Sequence, residues 1–319
     1  MADRIEYARH HWYRPAGALA LTALAATLSC SSPPPSPYRT YSTPEDAVKA
    51  LTGAVEKGNV DEVVAIFGPD GKDLIDSSDP VTARHNREVF TVAVKEGWRL
   101  VDQDGSWKTL VIGKEAWPFP VPLVHVEEGW RFDTDAGKEE VLARRIGRNE
   151  LAAIKICLAY VNAQRRYAKQ PHDGKRAGLY AATFRSDPGK QNGLYWRSVK
   201  GQRPSPLGDL VAKAAAEGQQ PSTKEGERTP LHGYYFKILT AQGAAARGGA
   251  MDYVANGEMS GGFALVAWPA QYDSTGVMTF IVNHEGIPYE KDLGPSTDAA
   301  ARAMSVYNPD DSWSAAQYR

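Results

Sequence analysis

Apolar residues in the first part of the chain recur at three- and four-residue intervals, the spacing of amphipathic helices. Ser42-Thr43-Pro44-Glu45 is predicted to start the first helix, with a hydroxyl cap and Pro at an early helical position, and two further helical stretches follow over residues 63–67 and 80–96. Three short runs rich in β-branched and aromatic residues then have the pattern of strands: 107–112, 120–126 and 129–132. Helices followed by a small antiparallel sheet predict an α+β domain over residues 45–145.

The second half of the chain opens with the strongest helical pattern, over residues 139–169, and Gly147 is expected to break it into a short and a long helix. A short helix is expected near 206–217, and the polar run 218–230 is expected to be an exposed loop. Four apolar runs and a helical stretch then predict an antiparallel β-meander with a closing helix: 234–239, 262–268, 277–282, 287–291 and 296–305. These elements form the predicted second domain, residues 146–319.

The order of elements in each predicted domain resembles a known architecture. A helical hairpin followed by a curved sheet, as in residues 45–145, is similar to the nuclear-transport-factor-like folds, which hold either a ligand pocket or a dimer surface. A long helix, a Gly- and Pro-rich loop and an antiparallel meander resemble the pilin-like fold of type IV pilins and pseudopilins. Here the helix is internal, a whole domain precedes it and there is no prepilin-type leader. The resemblance therefore implies the fold and not filament assembly.

The first 44 residues are typical of an export signal and a linker. Three arginines precede an uncharged, Ala- and Leu-rich run that ends at Ser29 and is shorter than the roughly 20 apolar residues of a membrane span. Residues 1–29 are therefore predicted to be a signal peptide. Leu28-Ser29-Cys30 resembles a bacterial lipobox, although that pattern prefers Leu where this chain has Thr27. The resemblance implies that Cys30 becomes the lipid-modified N-terminus; in a secreted protein cut nearby, Cys30 would be incidental.

Residues 30–44 are rich in Pro and Ser, which favours an extended, semi-rigid tether without a core of its own. The chain carries 37 Lys and Arg against 38 Asp and Glu, and this balance argues against a nucleic-acid binder. With only two cysteines among 319 residues, a disulfide-stapled fold and a cysteine-based zinc site are excluded. Cys157 lies at an apolar helical position, which favours a buried, inert thiol over a nucleophile.

Two groups of residues have both a binding and a structural interpretation. Four tryptophans of the first domain either line a ligand-binding face or, as we expect, fill a small core: Trp98, Trp107, Trp117 and Trp130. Arginines on the long helix either bind an acidic partner or, as we expect, form a solvated face with Glu139, Glu140 and Glu150: Arg144, Arg145, Arg148, Arg165 and Arg166.

Few residues have the spacing of a catalytic or metal site. His284-Glu285 lacks the second histidine of a zinc-protease helix, and residues 257–261 lack the spacing of a nucleophile elbow. Asp133 is expected to cap a helix and not to begin a calcium loop. We predict no metal and no cofactor. The remaining candidates for acid–base chemistry are two histidines at the edges of the meander and two carboxylates: His232, His284, Glu258 and Glu290. The alternative is that these histidines bond loop backbone.

Several long motifs together resemble one family of bacterial envelope proteins. They are residues 231–240, 261–270, 276–283 and 289–294 in the meander, with 144–150 and 193–196 upstream. The family is designated domain of unknown function 2950 (DUF2950), and the resemblance covers nearly the whole chain after the tether. It implies an exported bacterial protein and supplies no catalytic residues.

The sequence thus predicts an exported lipoprotein, anchored in a membrane through Cys30 and facing the periplasm or the cell surface. We expect a non-enzymatic interaction or assembly protein with an envelope-protein or cell-wall partner and no nucleic-acid partner. Two alternatives stay open. One is an envelope hydrolase with a His/carboxylate pair based on His232, and the other is a small-ligand binding module around Trp107 and Trp130.

Overall fold

A computed structural model describes residues 37–75, 80–197, 201, 203–216 and 229–318. The predicted signal peptide, Cys30, the tether up to residue 36 and most of the polar run 218–230 lie outside these ranges. The chain divides into two compact units, one ending at Arg144 and one beginning at Arg145. Within the described ranges, no helix combines the length and the apolar character that crossing a membrane requires.

The first unit combines four helices with one small antiparallel sheet, which confirms the predicted α+β class. The helices are α1 (Pro44–Glu56), α2 (Val60–Phe67), α3 (Gly71–Ile75) and α4 (Pro80–Glu96). The strands are β1 (Trp98–Asp102), β2 (Trp107–Ile112), β3 (Trp117–Pro118), β4 (Leu123–Val126) and β5 (Gly129–Phe132). They are ordered β1-β2-β4-β5, and β3 pairs with β2.

The core of this unit forms where one face of α1 meets the sheet. Helix α1 begins as predicted, because the Thr43 hydroxyl accepts a hydrogen bond from the Asp46 N–H at 3.1 Å and Pro44 needs no N–H partner in the first turn.

Trp130 is only 9% exposed and belongs to the core, and Trp98 packs against this core. Trp117 is 44% exposed, so the expectation that it fills the core is wrong. It lies on the two-residue strand β3, where the Arg144 guanidinium covers its ring at 5.6 Å.

The second unit is an antiparallel sheet packed against the long helix α5 (Thr134–Ala168), most of which belongs to this unit. The remaining elements follow α5 in this order: α6 (Gly208–Ala216), β6 (Tyr234–Leu239), β7 (Ala241–Gln242), β8 (Met251–Asp252), β9 (Val254–Ala255), β10 (Glu258–Met259), β11 (Ala264–Pro269), β12 (Met278–Asn283), β13 (Tyr289–Asp292), a 3₁₀ turn (Gly294–Ser296), α7 (Thr297–Ala303), β14 (Val306–Tyr307) and β15 (Ser314–Ala315). The main sheet has the order β15-β13-β12-β11-β6, and all its strand pairs are antiparallel. Strand β11 lies inside the sheet, between β12 and β6, and all six of its residues are buried.

Helix α5 is continuous, and the prediction that Gly147 breaks it is wrong. A glycine in a helix interior costs only about 1 kcal/mol relative to alanine, which the flanking contacts of the helix outweigh. Just before the helix, Asp133 caps it as predicted: its carboxylate accepts a hydrogen bond from the Ala136 N–H at 3.3 Å.

Polar side chains on α5 hold the sheet at several points along the helix. The Glu150 carboxylate accepts hydrogen bonds from the N–H groups of Val277 and Met278, both at 3.0 Å. Two turns and more beyond it, the Tyr160 hydroxyl donates to the carbonyl of Ala264 on β11 at 3.2 Å. The apolar face of the same helix includes Cys157, which is 0% exposed and whose pKa burial raises to about 12. The expectation of a buried thiol is therefore confirmed.

Replacing Gly147 by Ala is expected to raise the free energy of unfolding by about 0.5–1 kcal/mol. A Cβ at this helical position would have no atom within 4 Å, so the gain in helix propensity is not offset by a clash. Urea denaturation measures the change. Gly53→Ala in α1 is a matched control, because that position is also helical and open. Destabilisation by Gly147→Ala alongside stabilisation by Gly53→Ala would contradict a continuous helix.

The Cys157 thiol is expected to resist alkylation in the folded protein. With a pKa of about 12, roughly one molecule in 10⁵ carries the thiolate at pH 7, and burial also blocks the reagent. The measurement is maleimide labelling of the full-length Cys30→Ala variant, in which Cys157 is the one cysteine left. We expect no labelling in buffer and one equivalent in denaturant. Rapid labelling of the native variant would show that the thiol is accessible.

Candidate functional site

The two candidate histidines lie at opposite ends of the main sheet. His232 precedes β6 in a tight turn, with a left-handed backbone conformation at φ 48°, and His284 follows β12. Strand β11 separates these two strands. Its Pro269 end pairs with the start of β6, whereas its Ala264 end pairs with the last residues of both β6 and β12. The structure therefore does not bring the two histidines together.

The two candidate carboxylates lie on further elements. Glu290 is on β13, which is three strand spacings from β6, or about 14 Å. Glu258 is on β10, where its carboxylate forms an ion pair with the Lys175 ammonium at 3.6 Å.

His284 lies in the turn after β12, next to the aromatic rings of Tyr253 and Phe263 at centroid distances of 5.9 and 6.2 Å. Burial lowers its pKa, the charge of Arg165 lowers it further, and the neighbouring Glu285 acts in the opposite direction. The imidazole is therefore neutral at pH 7. Its Nδ1 is buried and has no hydrogen-bond partner among the described residues. The His284 carbonyl accepts a hydrogen bond from the Arg165 guanidinium at 2.7 Å.

Arg165 also lines a groove between the last turns of α5 and the segment that leads into α6. We call it the basic groove and define it by these residues: Ala159, Asn162, Arg165, Arg166, Lys169, Pro206, Leu207, Asp209 and Leu210. Its volume is about 540 Å³. This size is within the usual range of small-molecule sites, roughly 300–1,000 Å³. All of the lining residues belong to the second unit.

Three cations and one acid line the groove, so its formal charge is +2. The Arg166 guanidinium donates to the Pro206 carbonyl, which joins α5 to the opposite wall. The Arg165 guanidinium donates to the carbonyls of His284 and Glu285. Each guanidinium has five N–H donors, so both arginines retain donors for a ligand. The exposed Lys169 ammonium forms no ion pair or hydrogen bond within the described parts of the chain.

The sequence indicated only part of this groove. The sequence offers Arg165 and Arg166 as candidates for binding an acidic partner but not Lys169, which follows the last residue of α5 directly. The opposite wall, around Leu207 and Leu210, is separated from α5 by a long irregular segment, so only the folded chain shows that the two meet. Within the described ranges, no group of three His, Cys, Asp or Glu side chains has the arrangement of a metal site.

The comparisons with known proteins agree with the motifs in the helix and the meander. The family described as "Protein of unknown function (DUF2950)" matches residues 38–316, which include every described helix and strand. No curated protein and no solved structure matches the chain. Because the family match covers most of the chain, the protein belongs to the DUF2950 family.

Proposed function

We propose that this protein is an exported lipoprotein that binds a component of the cell envelope in the basic groove. The observation that carries the proposal is the groove itself: a recess of small-molecule size with three cations from five consecutive residues at the end of α5 and just after it. A preformed concave site with a few converging polar groups is the usual form of a ligand site.

The N-terminal sequence supports membrane attachment through Cys30. A basic segment, a short apolar run and a lipobox-like sequence precede this cysteine. The Pro- and Ser-rich residues that follow Cys30 are the tether in this proposal, and it is shorter than the predicted 30–44, because the Tyr41 backbone already pairs with Trp130 and Pro44 begins α1. Such a tether lets the folded units reach partners away from the membrane surface, in the periplasm or at the cell surface.

The described contacts favour binding over the alternative functions. For the hydrolase, the candidate residues would need to share one site, but His232 and His284 lie at opposite ends of the main sheet and Glu258 is paired with Lys175. For the small-ligand module in the first unit, the surface around Trp130 would need to be open, but this side chain is part of the core.

The Cys30→Ala variant is expected to move from the membrane fraction to the soluble fraction, because it has no thiol to carry the lipid. Fractionation of the producing cells measures this, and the mass of the purified wild-type protein shows the added acyl groups. Ser36→Ala is the control within the tether and should stay with the membrane. If Cys30→Ala stays in the membrane fraction as the wild type does, the lipid anchor is wrong.

Filling the groove with a large side chain is expected to weaken binding to the envelope by at least about tenfold, or roughly 1.4 kcal/mol. The test is co-sedimentation of the full-length protein, in uncharged detergent, with isolated envelope fragments. Ala159→Trp places an indole in the groove. Ala299→Trp is the matched control, since it makes the same change at an exposed position on α7. Equal binding of the two variants would overturn the groove as the binding site.

A further inference from the structure

We propose that the basic groove binds a phosphate monoester, the phosphate group of a small organic molecule. This inference rests on the proposed function, because it names the ligand class of the same groove. Three features of the groove support it: the charge, the arrangement of the hydrogen-bond donors and the apolar lining residues.

The charge of the groove matches that of a phosphate monoester. Arg165, Arg166 and Lys169 supply three positive charges and Asp209 supplies one negative charge, so the groove has a net charge of +2. A phosphate monoester carries about −1.5 to −2 at pH 7. A carboxylate carries only −1 and would leave the groove with an excess positive charge.

The spacing of the cations also suits an anion with three terminal oxygens. Arg165 and Arg166 lie in the last turn of α5, and Lys169 is the first residue after the helix, in a turn whose Lys169 N–H donates to the Arg166 carbonyl at 3.3 Å. The three cations thus lie within five consecutive residues. An arginine can donate two parallel hydrogen bonds to phosphate oxygens, and a lysine supplies a compact point charge. Each arginine is held by a hydrogen bond that it donates to a backbone carbonyl: Arg165 to His284, and Arg166 to Pro206. Their orientation is thus set before a ligand arrives, and Lys169 is available to it.

The other lining residues indicate that the ligand extends beyond its phosphate. Ala159, Pro206, Leu207 and Leu210 are apolar, and a volume of about 540 Å³ is far larger than a single phosphate group. An attached organic part would cover this apolar surface and gain free energy from its burial. Asp209 lies on the wall opposite the cations and disfavours binding to a flat anionic membrane surface. Its carboxylate would repel such a surface in every orientation of approach. A discrete molecule can enter with its phosphate turned towards α5.

Calorimetric titration of the full-length protein in uncharged detergent tests the ligand class. Four probes are compared: inorganic phosphate, phenyl phosphate, dimethyl phosphate and acetate. We expect inorganic phosphate to bind, and phenyl phosphate to bind more tightly because its ring contacts the apolar residues that line the groove. Dimethyl phosphate and acetate carry one charge each and should bind at least about tenfold more weakly. Equal affinity for all four probes, or no binding of the phosphates, would overturn the proposal.

Two variants with the same charge change locate the site. Lys169→Glu lowers the formal charge of the groove to zero and should weaken phenyl phosphate binding by at least about tenfold. Lys155→Glu is the matched control: this lysine is exposed on α5, about 20 Å from the end of the helix, and the variant should bind as the wild type does. Equal weakening in both variants would show a general charge effect and overturn the site.

Three further outcomes separate this inference from the function on which it rests. Anionic phospholipid vesicles that bind the protein without competition from phenyl phosphate would assign the cations to a membrane surface and overturn the inference. If Ala159→Trp abolishes envelope binding while no phosphate probe binds, the groove remains the binding site and only the ligand class is wrong. If phenyl phosphate binds and the Cys30→Ala protein stays in the membrane fraction, the ligand class stands and the lipid anchor is wrong.

Discussion

Helix α5 holds strand β12 at both ends, and the rest of the second unit depends on this attachment. The Glu150 carboxylate accepts the N–H groups of Val277 and Met278, and the Arg165 guanidinium donates to the His284 carbonyl. From Glu150 to Arg165 the helix rises about 22 Å over fifteen residue steps, and from Val277 to His284 the extended chain spans about 23 Å over seven residue steps. Because these lengths match, both bonds form only when the helix lies along the strand in one register, with its apolar face on the sheet.

The register of α5 decides where the basic groove lies. Arg165 belongs both to the attachment of β12 and to the groove lining, so the bond that fixes the helix also orients a side chain of the candidate site. The last turn of the helix then meets the segment before α6, where Arg166 donates to the Pro206 carbonyl. Cations held in this way lose little conformational entropy when an anion binds, which favours affinity.

The contacts between α5 and β12 connect two of the family motifs. Residues 144–150 and 276–283 are far apart in the chain, yet Glu150 of the first motif binds the backbone of the second. The Asn149 side chain adds a bond to the Thr275 carbonyl at 2.9 Å, immediately before the second motif. Gly276 itself lies so close to the Tyr234 ring that a Cβ would be 2.1 Å from the Tyr234 hydroxyl. These motifs therefore encode the contact between helix and sheet.

The sequence by itself determined the secondary structure where the pattern is local. Thr43 and Pro44 predict the start of α1, and the continuous apolar run in β11 predicts a buried strand, because capping and burial leave periodic signals. Gly147 shows the limit of local rules, since long-range packing of α5 outweighs a propensity cost of about 1 kcal/mol. Only the tertiary structure separated His232 from His284 and joined Lys169 to Leu207. Such proximity depends on strand order and helix register, which arise from contacts between residues far apart in the chain.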